Sequence, residues 1–247
     1  MDKTEKLAEY IKDSKRIVVF TGAGISCASG IPDFRSENGL YNQSSGTIYR
    51  PEEIISHSFF YAHTKEFYDF YRNKMIFPDA KPNKAHVFFA KLQEMPGKDV
   101  SVVTQNIDGL HQKGGSKKVY ELHGSVERNY CTGCNRFYGL DRIMKPGLPK
   151  CDHCGDIIKP DVVLYEEPLD ETVVTGAVNA LHNADLVIVI GTSLTVYPAA
   201  SFLRYYNGNK LVLINKQATT YDSDADLVFN EDVIDVVTRL EKILQIK

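Results

Sequence analysis

Asp185-Leu186-Val187-Ile188-Val189-Ile190 is the most hydrophobic run in the chain, and it stops at once in Gly191-Thr192-Ser193. Five aliphatic side chains without alternation leave no face for water, so the run reads as a strand covered on both sides. A parallel sheet with helices on both faces is the architecture that supplies such a position. Shorter apolar runs recur at Arg16 to Phe20, Val100 to Val103, Val119 to Leu122, Leu211 to Ile214 and Leu227 to Phe229. Helical patterns lie around them at Met1 to Asp13, Asn83 to Met95, Glu171 to Ala184, after Pro198, and at Val233 to Ile246. This rhythm predicts an α/β fold built on a Rossmann-like parallel sheet.

Two stretches break the rhythm. Ser36 to Pro82 is aromatic and helical in pattern, densest at Phe59, Phe60, Phe67, Tyr68, Phe70 and Tyr71. Val126 to Pro160 carries Cys131-x2-Cys134 and Cys151-x2-Cys154, the pairs separated by 16 residues. Two tight pairs at that spacing predict one structural zinc ion on four thiolates, since so short a loop cannot build its own core. Two-residue gaps make poor disulfide loops, and the fifth cysteine, Cys27, reads as a small buried residue. The expected division is a Rossmann-like domain of residues 1–35, 83–125 and 161–247. The helical insert 36–82 and the zinc module 126–160 would form a smaller domain above it, with the binding cleft between.

Charge and hydropathy narrow the function. A net charge of −3 gives no reason to expect direct nucleic-acid binding, although Lys113 to Lys159 is locally basic. No apolar run approaches the ~20 residues of a membrane span, and the N-terminus lacks the apolar core of a signal peptide. The expectation is a cytoplasmic protein with no membrane partner.

The polar residues gather where strands end. Val100 to Val103 runs into Thr104-Gln105-Asn106-Ile107-Asp108-Gly109-Leu110-His111, and Val119 to Leu122 delivers His123 beside Gly124, a glycine that leaves room for a ligand. Ligands of open α/β sheets sit beyond the carboxyl ends of strands. Gly22-Ala23-Gly24-Ile25-Ser26 has the form of a phosphate-binding turn, with glycines for close approach and a following helix to supply N–H donors. Cys27 occupies the place of the third glycine in the dinucleotide fingerprint, which argues against an ordinary dehydrogenase. Each feature also has a plainer reading: Ile31-Pro32-Asp33-Phe34-Arg35 as a turn held by an Asp–Arg pair, Asp108 as a helix cap, His123 as a core histidine.

These motifs, in this order, resemble those of the sirtuins, the NAD-dependent protein lysine deacylases. The resemblance also takes in Ser29 to Arg35, the four cysteines, Gly191-Thr192-Ser193-Leu194 and Ile214-Asn215. It implies NAD and one structural zinc as cofactors, acylated-lysine proteins or peptides as substrates, and nicotinamide, free lysine and O-acyl-ADP-ribose as products. His123 would be the general base, with Asn106 beside it. Gly22, Ala23, Asp33, Phe34 and Arg35 would hold the phosphates and the nicotinamide ribose. Gln105, Asn106, Ile107 and Asp108 would contact ribose and nicotinamide. Gly191, Thr192 and Ser193 would face the pyrophosphate, and Asn215 the adenosine ribose. Val163, Leu164 and Tyr165 would bind the peptide as an added strand, with Tyr68 and Tyr71 lining the acyl pocket. That tyrosine pair lacks the arginine of sirtuins that take dicarboxylic acyl groups. The chain departs from the family's usual glycine at Glu166 and usual arginine at Lys159. A mono-ADP-ribosyltransferase using the same cofactor site is the alternative.

Overall fold

In the computed structural model, which describes residues 2–33, 39, 48–194 and 198–246, Leu186–Ile190 (β7) is buried at every position. It lies in a parallel sheet with Arg16–Thr21 (β1), Asp99–Thr104 (β2), Val119–Glu121 (β3), Leu211–Ile214 (β8) and Leu227–Phe229 (β9), in the order β3-β2-β1-β7-β8-β9. Within this sheet the order is the doubly wound one, and it reverses between β1 and β7. Open α/β sheets hold their ligands in a crevice beyond the strand ends at such a switch point.

Both faces are covered, as the unalternated runs require. Ile17 and Val19 of β1 join a core with Lys3–Asp13 (α1), Lys84–Gln93 (α5) and Val233–Leu244 (α9), including Leu7, Ile11, Phe88, Phe89 and Val236. Val18 and Phe20 face the opposite way, onto Ala177 and Leu181 of Glu171–His182 (α8) and onto Phe202 and Leu203. The segment Ala199–Tyr205 is 3₁₀ rather than α-helical, and Pro198 sits at its cap rather than within its first turn.

The aromatic insert forms Pro51–Ile54 (α2), His57–Ala62 (α3) and Thr64–Lys74 (α4). The helical pattern of this stretch is broken at His63, whose backbone leaves the helical region. The break folds α4 back so that Phe60 meets Phe67 edge-on, centroids 4.9 Å apart. This aromatic core takes in Val126, Ile143, Ile158, Val162 and Leu164 from the cysteine-bearing stretch. That stretch is more ordered than a loop. Gly124–Cys131 (β4), Phe137–Tyr138 (β5) and Ile158–Val162 (β6) make an antiparallel sheet, followed after β5 by Leu140–Ile143 (α7). Gly124 pairs with Val162, so the small sheet reaches two residues beyond each end of the expected 126–160. Among the described residues no helix is long and apolar enough to cross a membrane.

Candidate active site

The carboxyl ends of β1, β2, β7 and β8 open into a cleft of about 760 Å³. Its floor is polar because each strand hands over to a loop rather than a long helix. After β1 the chain enters a 3₁₀ segment, Ala23–Ser29, in place of the expected α-helix, and its first residues line the cleft. The glycines of this turn serve a different contact. A Cβ on Gly24 would lie 2.6 Å from the Cα of Gly191, which itself holds a left-handed φ of 59°. The loops after β1 and β7 touch backbone to backbone, and any side chain there would push them apart.

After β2, Asn106 is nearly buried and its amide group donates to Ser26 Oγ at 3.1 Å. Ser26 Oγ donates in turn to Asp108 Oδ2 at 2.6 Å, while Asp108 Oδ1 accepts from the Leu110 N–H at 2.9 Å, at the start of Leu110–Lys113 (α6). Asp108 thus caps a helix and anchors the floor of the cleft together. Gln105 Nε2 reaches Thr192 Oγ1 at 3.1 Å, across the mouth of the crevice. Asn215 accepts from the Thr192 N–H and donates to the Thr192 carbonyl, both at 3.0 Å, so its amide ties the β7 loop to the β8 loop.

His123 projects into the cleft from the short connection between β3 and β4. Its Nδ1 lies 2.9 Å from the Gln105 carbonyl oxygen. A carbonyl only accepts, so Nδ1 carries the proton and Nε2 keeps its lone pair. Burial lowers the pKa of His123 below its ordinary value of 6.5, against a smaller opposing effect from the Gln105 carbonyl. The neighbouring Gly124 does not make room for a ligand, as its position beside the histidine implied. Its Cβ would fall 1.9 Å from the Asp161 carbonyl oxygen, so this glycine lets β6 pack against the start of β4.

The far wall is the loop after β6. Val163, Leu164 and Tyr165 line the cleft, but their N–H groups are engaged by His123 O, Glu167 Oε2 and Ile55 O at 3.0, 2.9 and 3.0 Å. These three donors are thus satisfied within the chain. Glu166 holds a left-handed φ of 75°, and its Oε2 accepts from the Ser58 N–H at 2.8 Å and Ser58 Oγ at 2.6 Å. The strained residue is stapled to the first turn of α3. Glu167 adds a second staple through His57 Nδ1 at 2.9 Å and Lys159 Nζ at 3.0 Å.

Of the residues singled out in the sequence, Gly22, Ala23, Asp33, Gln105, Asn106, Ile107, Asp108, His123, Val163, Leu164, Tyr165, Gly191, Thr192, Ser193 and Asn215 all line this one cleft. Phe34 and Arg35 lie outside the described residues. Tyr68 and Tyr71 do not reach the cleft: they are 1% and 0% exposed, packed in the aromatic core. The Tyr68 hydroxyl donates to the Ile158 carbonyl. Their periodicity on α4 is that of a buried face, which overrides the pocket role assigned to them. Arg72 of the same helix is also turned away, with Nε and a terminal nitrogen donating to the carbonyls of Ile143 and Gly147 at 2.6 and 2.7 Å. Cys27 is exposed and lines the cleft, not the small buried residue expected, and the lining also includes Met75, Phe77 and the Lys216–Asp232 pair at 2.9 Å, to which no motif pointed.

The four cysteines converge about the turns of the small sheet. Their sulfurs all lie within 4.8 Å of one another, with Cys131 to Cys154 at 3.3 Å and Cys134 to Cys151 at 3.6 Å. Tetrahedral zinc–thiolate bonds of ~2.3 Å place sulfurs about 3.8 Å apart, so the set fits one zinc ion with no open position. The Cys134 and His153 N–H groups point at Cys131 and Cys151 sulfurs at 3.5 and 3.4 Å, as thiolate ligands require.

Comparison with known proteins agrees with this geometry. The model of the Sir2 family matches residues 22–198. The chain is 55% identical over 235 residues to the NAD-dependent protein deacetylase of Clostridium acetobutylicum, across 94% of this chain and 96% of that protein. It superposes on a structure of Sir2 with p53 peptide and NAD+ with a TM-score of 0.85, at 40% identity over 100% of both chains. A structure of Sir2 with deacetylated p53 peptide and 3′-O-acetyl ADP-ribose gives a TM-score of 0.88, at 39% identity over 98% of each.

Proposed function

The chain belongs to the Sir2 family, and from that premise we infer that its cleft carries out NAD-dependent deacetylation of protein lysines. The observation that carries the site assignment is His123, a cleft imidazole with its proton fixed on Nδ1 and a bare Nε2. NAD, when bound, supplies an ADP-ribosyl group with nicotinamide as its leaving group. The cleft over the ends of β1 and β7 suits the dinucleotide, with Gly22, Ala23, Asp33, Gly191, Thr192 and Ser193 as the phosphate side. Asn106, Ile107 and Asp108 would meet the nicotinamide end. His123 Nε2 would take a proton from a ribose hydroxyl, and Gln105 would hold the imidazolium that results. Val163, Leu164 and Tyr165 would flank the acyl-lysine stem. Residues 36–82 and 126–160 are proposed as the small domain, supported by their shared aromatic core. A cytoplasmic location is supported by a thiolate zinc site, which a reducing compartment preserves.

The test supplies NAD and one peptide carrying acetyl-, butyryl- or succinyl-lysine, and follows nicotinamide release and peptide mass. Acetyl-lysine should be converted to lysine. A peptide heavier by an ADP-ribosyl group would instead reveal transferase chemistry. Succinyl turnover should be at least about tenfold slower, because burying an unpaired carboxylate costs several kcal/mol. No arginine of α4 lines the cleft, since Arg72 is engaged by the Ile143 and Gly147 carbonyls. Succinyl turnover equal to acetyl would show that a lysine of the lining, Lys74 at the end of α4 or Lys216, pairs with the carboxylate.

The acid limb of kcat/KM against pH reports the free base. With His123 lowered by burial, the plateau should extend below pH 6.5 before protonation of Nε2 ends activity. A midpoint at or above 6.5 would contradict the burial argument.

A further inference from the structure

The loop bearing Asn106 rests on two histidines that the chemistry above leaves unused. His86 on α5 and His111 on α6 are 0% and 1% exposed, and their rings meet edge-on with centroids 4.9 Å apart. Neither lines the cleft. Each keeps one buried nitrogen without a partner, Nε2 of His86 and Nδ1 of His111. A buried polar atom left unpaired is a cost that an aromatic hydrocarbon in the same space would avoid. The other nitrogens show what is gained. His86 Nδ1 accepts from the Asn83 N–H at 3.3 Å, half of a reciprocal cap on α5.

His111 reaches further. Its Nε2 is 3.0 Å from Thr21 Oγ1, Thr21 Oγ1 donates to Thr104 Oγ1 at 2.8 Å, and Thr104 Oγ1 accepts from the Asn106 N–H at 3.0 Å. With the Thr21 proton directed to Thr104, His111 must donate from Nε2. Thr21 and Thr104 are register partners at the carboxyl ends of β1 and β2, both buried. The chain of bonds therefore runs from α6 across two strand ends to the main chain of Asn106. Burial lowers His86 to about 4 and His111 well below the ordinary value, so both stay neutral near pH 7 and the bonds keep their direction.

We propose that His111 is a positioning residue for deacetylation: through the hydroxyls of Thr21 and Thr104 it fixes the turn at Asn106, and with it the Asn106 and Asp108 side chains in the floor of the cleft. The proposal rests on the reading of Asn106 as a residue of the reaction centre. It makes a demand that a packing role does not. His111→Phe keeps an aromatic ring in the site, removes an unpaired nitrogen and cuts the link, so turnover should fall by more than any change in stability accounts for.

The experiment measures Tm, the KM for NAD and kcat on an acetylated peptide for the full chain and its His111→Phe, Thr104→Val, doubly substituted, His86→Phe and Asn106→Ala variants. His111→Phe and Thr104→Val should each lower kcat about tenfold, since misplacing a reacting group by ~1 Å costs up to about a hundredfold. The double variant should be no slower than the slower single, as members of one chain are not additive. His86→Phe should keep its kcat. Thr104→Val carries the same expectation should His111→Phe not fold. Unchanged kcat in both link variants, or kcat lost only in step with Tm, overturns the proposal while leaving Asn106 its role. Full activity in Asn106→Ala overturns both, since nothing would be left to position.

Discussion

Replacing His123 by Ala should reduce deacetylation by ~10²-fold or more, the usual cost of losing a general base, while zinc content and NAD binding persist. The geometry sets this expectation. His123 Nδ1 is committed to the Gln105 carbonyl, so Nε2 is the one imidazole atom left to move a proton into the cleft. Among the described residues His123 is the one histidine that lines the cleft. His86 and His111 are buried beneath the floor and outside the cleft, and the Asp108 oxygens accept from Ser26 and Leu110. His123→Asn separates the two functions of the ring. Its side-chain amide can still donate to the Gln105 carbonyl, but it has no lone pair to accept a proton near neutrality. Both variants should be slow, with Asn closer to wild type in Tm. Nicotinamide release and product mass, measured together with NAD affinity, decide the matter. Deacetylation at the wild-type rate in His123→Ala would remove the residue from the mechanism.

The parallel sheet was legible because burial on both faces leaves a one-dimensional trace. Leu186 to Ile190 cannot alternate, and neither can Ile17 to Phe20, so strand, sheet type and helical cover follow from the run itself. The convergence of polar residues was legible for a related reason: each followed directly on such a run, and parallel strands bring their carboxyl ends to one edge. What the sequence hid depends on contacts between distant segments. Gly24 reads as a phosphate contact but is required by Gly191, far along the chain. Gly124 reads as space for a ligand but is required by Asp161.

The same limit explains the tyrosines. Tyr68 and Tyr71 follow a helical period that fixes a buried face without saying what covers it, and the cover is the small sheet rather than a substrate. That sheet left little trace because β4 carries Glu127, Arg128 and Asn129 in its middle. Arg128 is accommodated by Glu121 at 2.6 Å and Asp161 at 2.7 Å, a pairing that only the folded chain reveals. Much of the locally basic stretch is neutralised in this manner, with Lys113 on Glu127, Lys118 on Asp99 and Lys159 on Glu167. Lys216 and Asp232 had no motif at all, since they come from separate loops that meet only at the cleft.

Removing the zinc should unfold the small sheet and abolish turnover, although none of the four clustered cysteines lines the cleft. Zinc bound to four thiolates contributes apparent free energies of ~10–16 kcal/mol at neutral pH, more than a module of this size gains from packing. Cys131 ends β4, and Cys151 holds the turn that leads to β6, so the ion closes the loop that keeps these two strands paired. Their loss would travel a short way. Val126, Val162 and Leu164 belong to the aromatic core, and Val162 and Leu164 also line the cleft wall. The His123 carbonyl is bonded to the Val163 N–H at 3.0 Å, so disorder in β6 reaches the proposed general base. Cys131→Ala or Cys151→Ala should therefore lose one equivalent of zinc, the tyrosine near-ultraviolet signal of the aromatic core, and deacetylation together. The parallel sheet has its own two cores and should keep most of its helical signal. Metal analysis, circular dichroism and peptide turnover on the same preparation test the linkage. A zinc-free variant that keeps both its near-ultraviolet signal and its turnover would show that the small sheet stands without the ion.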